Sequence, residues 1–210
     1  MVYGQRMFFI EHSAHLSTSV YTYYTVNPGI ASFLTGPLGI SRQSTLNTTW
    51  SSGGFAKNGV NAITLGRYVN FAPNFANDND VAAWTRLIGH ESSHRTEVDS
   101  EGIFSFYSDY LGQFAFDRLN GKSQRDAYRH IRTEQNAFNN ESQIAKFFNN
   151  GQNLKDFTSI LRNNRLSDTQ KSNQLEALGI EKVALPGLEK IQTGLTNQIN
   201  ELKNNQGFFK

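Results

Sequence analysis

The chain contains no cysteine, which removes a disulfide framework and thiolate ligation together, so any metal it holds must be held by histidine and carboxylate groups. Charged residues are few, 18% of 210 positions with a net charge of +2, and no lysine- and arginine-rich stripe exists to track a phosphate backbone. Nucleic acid is therefore not an expected partner. Long apolar runs are also missing. None approaches the roughly 20 residues of a spanning helix, so no membrane span is expected, and the N-terminus lacks the basic start, apolar stretch and small-residue cleavage site of a secretory leader. The expectation is a mature or excised domain. The hydrophobic share of 38% still suffices for one core, with room in the length for a helical appendage.

What is present changes character along the chain. The first 75 or so residues are rich in aromatic, Thr, Ser and Gly residues. "SVYTYYTV" at Ser19 to Val26 favours a strand, closed by the turn chemistry of "NPG" at Asn27 to Gly29. "TGPLG" and "SSGG" then predict loops with little regular structure, and "EHSAH" at Glu11 to His15 reads as a polar turn rather than a His12/His15 metal pair. In "NAITLGRYVNFAP" the residues Ile63, Leu65, Val69 and Phe71 keep a two-residue period, the best strand candidate in the protein. From Asp80 the period becomes helical, with Val81, Trp84, Leu87, Ile88 and Glu91 at three- and four-residue steps. Further helices are expected over about 101–119, with Ile103, Phe104, Tyr107, Tyr110, Leu111, Phe114 and Phe116 as apolar residues, over about 123–149, and in shorter pieces over 152–182. Beyond Pro186, the series Leu188, Ile191, Leu195, Ile199 and Leu202 describes a long amphipathic helix.

One stretch carries chemistry: "LIGHESSHRTEVDSEG", Leu87 to Gly102. Residues four apart lie one turn apart on a helix face, so His90 and His94 can aim both imidazoles at one point. Glu91 projects beside them, placed to take a proton from a bound water. Two neutral imidazoles and one carboxylate around zinc leave a fourth position open and lower the pKa of its water to about 7. Candidates for the carboxylate are Glu97, Asp99, Glu101, Glu134 and Glu141. Glu97 would approach from the side His94 occupies, and Asp99 and Glu101 lie where the chain turns. Glu134 sits on a separate predicted helix, on the side of Ile131, Ala137 and Phe138, where a carboxylate is costly unless paired or bound to a cation. That favours Glu134. The alternative for the motif is a solvated His-Glu-His helix face.

"NAITLGRYVNF", "LIGHESSHRTEVDSEG" and "YRHIRTEQNAFNNE" together resemble the zincin-type metallopeptidase domains at the C-terminal ends of bacterial Rhs-repeat and related polymorphic toxin proteins. The resemblance covers about residues 61–141 and rests chiefly on the His-Glu-x-x-His element. It implies His90, His94 and Glu134 as zinc ligands and Glu91 as catalytic base, a protein or peptide substrate, a larger Rhs-type carrier, and secretion or delivery into another cell. That family often has Gln after the second histidine, where this chain has Arg95 and Thr96. The expected architecture is α+β: a mainly helical zincin-like core with a small β element over residues 1–150, then a helical C-terminal extension over 151–210.

Secondary roles follow from position. His130, four residues before Glu134, can face the metal as a transition-state donor or be an exposed helix histidine. Tyr107, Tyr110 and Tyr128 are oxyanion-donor candidates or core aromatics. Asp99 is a candidate acceptor for a ligand histidine's distal N–H or a helix-end carboxylate. The competing function is non-catalytic: a former zincin, or a helical module using the Leu188 to Leu202 face to bind a protein partner.

Overall fold

The computed structural model describes residues 8–16, 19–36, 38–53, 56, 60–72 and 80–180. Among them the fold is α+β, mainly helical, with eight helices beside a mixed five-stranded sheet. The strands are β1 (Phe8–Leu16), β2 (Ser19–Val26), β3 (Thr49–Ser52), β4 (Ala62–Leu65) and β5 (Tyr68–Phe71), in the order β1-β2-β3-β5-β4. All neighbours are antiparallel except β3 and β5. The helices are α1 (Pro28–Leu34), α2 (Arg42–Leu46), α3 (Val81–Glu101), α4 (Ile103–Leu119), α5 (Gln124–His130), α6 (Arg132–Asn149), α7 (Gly151–Arg162) and α8 (Asp168–Leu178). The Leu188 to Leu202 stripe lies outside the described residues. No helix among them is long and apolar enough to cross a membrane.

The N-terminal region is more ordered than its composition suggests. Glu11 to His15 belongs to β1 rather than to a turn, with a register shift between Ile10 and His12 where the strand pairs with β2. The stretch expected as loops carries α1, α2 and β3. Asn27 ends β2 and also caps α1, its side chain accepting from the Gly29 N–H at 2.8 Å, while Pro28 supplies a helix-ready first residue.

The expected strand at 62–71 is a hairpin. Gly66 takes a φ of +57°, a conformation that suits glycine, and with Arg67 it reverses the chain. Ala62 then pairs with Phe71, and Thr64 with Val69. Opposed residues share a face, so Thr64 joins Val69 and Phe71, whereas Leu65 turns outward and is 47% exposed. The two-residue turn inverts the parity that an uninterrupted strand would have.

The core forms where sheet and helices meet. Phe71 stacks on Trp50 at 5.5 Å and meets Trp84 edge-on at 4.8 Å, joining β5, β3 and α3. Phe33 of α1 lies 5.0 Å from Phe147 of α6 and 4.7 Å from Phe157 of α7, and Leu175 of α8 is in the same cluster. Helices α3 and α6 pack along their lengths. Gly89 allows their close approach: a Cβ there would lie 2.3 Å from Ile144 Cδ1 and 3.4 Å from Leu34 Cδ2. Helix α4 differs, because only Phe106 is buried on it; Phe104 and Leu119 are each 88% exposed.

The helix expected over 123–149 is two. Ile131 is extended (φ −60°, ψ 128°) and fully buried, and it separates α5 from α6. The Arg132 N–H freed by the break donates to Gln113 Oε1 of α4 at 2.8 Å. Glu134 thereby falls in the first turn of α6, where a helix N-terminus favours negative charge.

Candidate metal centre

Asp80 starts α3 by accepting from the Ala82 and Ala83 N–H groups, which sets the phase of the helix. Val81, Trp84, Leu87 and Ile88 then go to the core, and His90, Glu91 and His94 follow on buried positions. The imidazole Nε2 atoms of His90 and His94 are 3.3 Å apart, their rings nearly perpendicular. Glu134 of α6 closes the triangle, with Oε2 3.4 Å from His90 Nε2 and Oε1 3.5 Å from His94 Nε2. Among the described residues these three side chains form the only group of His, Cys, Asp or Glu residues spaced to hold a metal ion.

The spacing has chemical content. Bonds of about 2.0–2.1 Å at tetrahedral angles set donor atoms about 3.3–3.4 Å apart, close to the separations here. All three residues are at most 6% exposed. Buried ionisable groups of this kind need a counter-charge, and His90 Nδ1, His94 Nδ1 and Glu134 Oε2 have no hydrogen-bond partner among the described residues. The donor set of two imidazoles and a carboxylate suits zinc and similar divalent ions.

The titration of the cluster also calls for positive charge. Burial alone would push His90 down, but contacts with Glu134 and Glu141 and the charge of nearby Glu91 outweigh it and hold the group up at about 10. Burial would raise Glu134, yet the two histidines and Tyr128 hold it well below the usual carboxylate range.

Around this triangle lie residues of three other elements. Thr64 of β4 donates from Oγ1 to Glu91 Oε2 at 2.5 Å. Tyr110 of α4 donates to Glu134 Oε1 at 2.8 Å, and Tyr128 of α5 lies close enough to be influenced by the Glu134 charge. Burial, reinforced by the Glu134 charge, pushes both phenols far up, so both remain protonated donors. Glu141 Oε2 lies 3.5 Å from His90 Nδ1, while its Oε1 accepts from Arg86 at 2.5 Å. A cleft of about 1040 Å³ opens over His90 and Glu91, walled by β4, α3, α4 and α5.

The other carboxylates considered as third ligand are engaged elsewhere. Asp99 accepts from Arg95 at 2.6 Å, and does not reach a histidine N–H. Glu101 pairs with Arg132 at 2.9 Å, and Glu97 accepts from Asn136 at 2.7 Å. His130 is exposed beside Lys122 and Asp117, away from the cleft. Tyr107 accepts from the Gly66 N–H and donates to the Thr64 carbonyl, bracing the β4–β5 turn. Arg95 is only 4% exposed, donating to the Gly66 carbonyl at 2.7 Å and to Thr48 Oγ1 at 3.3 Å besides Asp99.

Sequence reasoning missed Thr64 and Arg86. For Thr64 the only available signal was the Gly66-Arg67 turn, which exchanges the faces of β4. No family model, curated protein or solved structure matches the chain.

Proposed function

We propose that the protein is a zinc-dependent peptidase in which His90, His94 and Glu134 hold the ion and Glu91 is the general base. The observation that carries this reading is the buried triangle of Nε2, Nε2 and carboxylate oxygen with edges of 3.3 to 3.5 Å, set beside a second glutamate that is not part of it. An ion held there supplies a water of lowered pKa and polarises the substrate carbonyl.

The remaining work falls to the chain. Glu91 lines the cleft, with Thr64 fixing one of its oxygens and leaving the other free of any hydrogen-bond donor among the described residues. Held in this way, Glu91 takes a proton from the attacking water and returns it to the departing amine. Tyr128 lines the same cleft with its hydroxyl kept protonated, suited to donate to negative charge developing on the carbonyl oxygen, whereas the single O–H of Tyr110 is given to Glu134. The substrate is read as polypeptide because β4 is the edge strand of the sheet, with Asn61 and Ala62 on the cleft wall. An extended chain can add there as a further strand.

Two variants separate the roles. Glu91→Gln should keep about one equivalent of zinc while losing roughly 10²–10⁴-fold in hydrolysis of a denatured protein substrate. His94→Ala should lose the zinc itself. Equal zinc content in the two variants, or undiminished turnover in Glu91→Gln, refutes the assignment.

A further inference from the structure

One wall of the cleft is made by α5, which presents Gln124, Arg125, Tyr128 and Arg129 to it. Tyr128 meets Phe138 of α6 edge-on at 6.1 Å, and Phe138 lies 4.9 Å from the His90 ring, so this face is held beside the metal triangle. Three arginines line the cleft, and they are not equivalent. Arg86 is neutralised by Glu141 at 2.5 Å. Arg125 and Arg129 make no hydrogen bond or ion pair among the described residues, although the cleft also contains Glu91 and Glu141. They stand four positions apart on one helix, a single turn, so their guanidinium groups belong to one patch. Asp126, the acid on the same helix, receives the Ser123 hydroxyl at 2.6 Å. Helix α4, packed against α5, contributes Leu111 and Phe114 to the lining.

We propose that the cleft selects acidic polypeptide segments with apolar residues between the acids, and that Arg125 and Arg129 are the residues that read the carboxylates. The substrate class rests on the peptidase reading above, while the charge preference stands on the two unpaired guanidinium groups. Arginine suits the task because its planar fork binds a carboxylate through two parallel hydrogen bonds. The alternating acids and apolar side chains of an extended segment would address α5 and the Leu111/Phe114 surface respectively. Each exposed arginine–carboxylate contact is worth roughly two- to fivefold in affinity, so the pair together carries on the order of tenfold.

The test measures binding, so that it does not depend on turnover. The full-length, zinc-loaded Glu91→Gln protein is titrated into fluorescein-labelled decapeptides of Ala and Phe carrying Glu, Gln or Lys, and anisotropy is followed. The Glu peptide should bind about tenfold tighter than the Gln peptide, with Lys weakest. The preference should shrink between about 50 mM and about 300 mM salt. Adding Arg125→Ala and Arg129→Ala should abolish it, and Arg125→Glu with Arg129→Glu should reverse it in favour of Lys. Both residues are exposed, so these substitutions leave the core untouched. Equal binding of Glu and Gln peptides, absence of binding, or a preference that survives the double alanine change would each overturn the proposal. If the wild-type protein binds the Glu peptide selectively but leaves it uncut, the peptidase reading fails and the selectivity stands. If it cuts Glu and Gln peptides alike, the peptidase reading stands and the selectivity fails.

Discussion

Replacing Gly89 by alanine probes the packing that brings together the helix of His90 and His94 and the helix of Glu134. In an exposed helix the change would gain about 1 kcal/mol from propensity. Here the added methyl would lie 2.3 Å from Ile144 Cδ1, more than 1 Å inside ordinary contact, and Ile144 is fully buried with no solvent to turn into. Overpacking of this severity belongs near the top of the usual range, about 3 kcal/mol, leaving a net loss of about 2 kcal/mol. Ile144→Val removes the offending Cδ1 at a cost of about 1 kcal/mol alone. With it gone, the nearest remaining neighbours are at 3.4 Å and 3.8 Å, so the double variant should recover the propensity gain and return to about wild-type stability. The coupling between the two sites is then about 3 kcal/mol. Urea denaturation of the metal-free proteins measures all four corners of the cycle. The same forced separation should weaken zinc binding in Gly89→Ala and restore it in the double variant. The reasoning is refuted if Gly89→Ala is as stable as wild type, or if the double variant is only the sum of its parts.

Thr64→Val keeps the shape of β4 and removes the donor to Glu91; a hydrogen bond to a charged group is worth about 1.5–3 kcal/mol, so kcat should fall by roughly 10- to 100-fold with zinc content unchanged, and a loss of zinc instead would place Thr64 in support of the ion. In the metal-free protein His90 is held up at about 10 against an ordinary 6.5. The stability from its protonated form is thus fully present below 6.5 and is lost as pH rises through 10. Thermal melts of the chelator-treated protein should fall over that window. His90→Gln should flatten the slope, and an unchanged slope in that variant would refute the assignment.

How much of this was legible beforehand can be argued residue by residue. The histidine helix was legible because its cap, Asp80, and its apolar steps to Ile88 are local signals. Glu134 was legible because a carboxylate next to Ile131 and Ala137 needs a cation. The break at Ile131 was not, since no Gly or Pro marks it and its freed N–H is taken by Gln113, which belongs to another helix. The strand at Phe8–Leu16 was hidden because its polar centre is stabilised by pairing with β2, a partner that periodicity within the segment cannot show. The apolar residues of α4 read as core, yet most of them stay exposed, because amphipathic spacing says which residues share a side and not whether anything covers it.

Arg95 has a consequence for the order in which the site is assembled. Its guanidinium joins the hairpin turn, the residue preceding β3 and the far end of its own helix, so sheet and helix are latched by contacts that require no ion. Glu91 is positioned from the sheet side through Thr64, while α6 brings Glu134 to the two histidines of α3. If the triangle takes an ion as proposed, gaining or losing it would leave the Glu91 side in register: the protein would wait as a primed tool, not as a fold that its cofactor must first create.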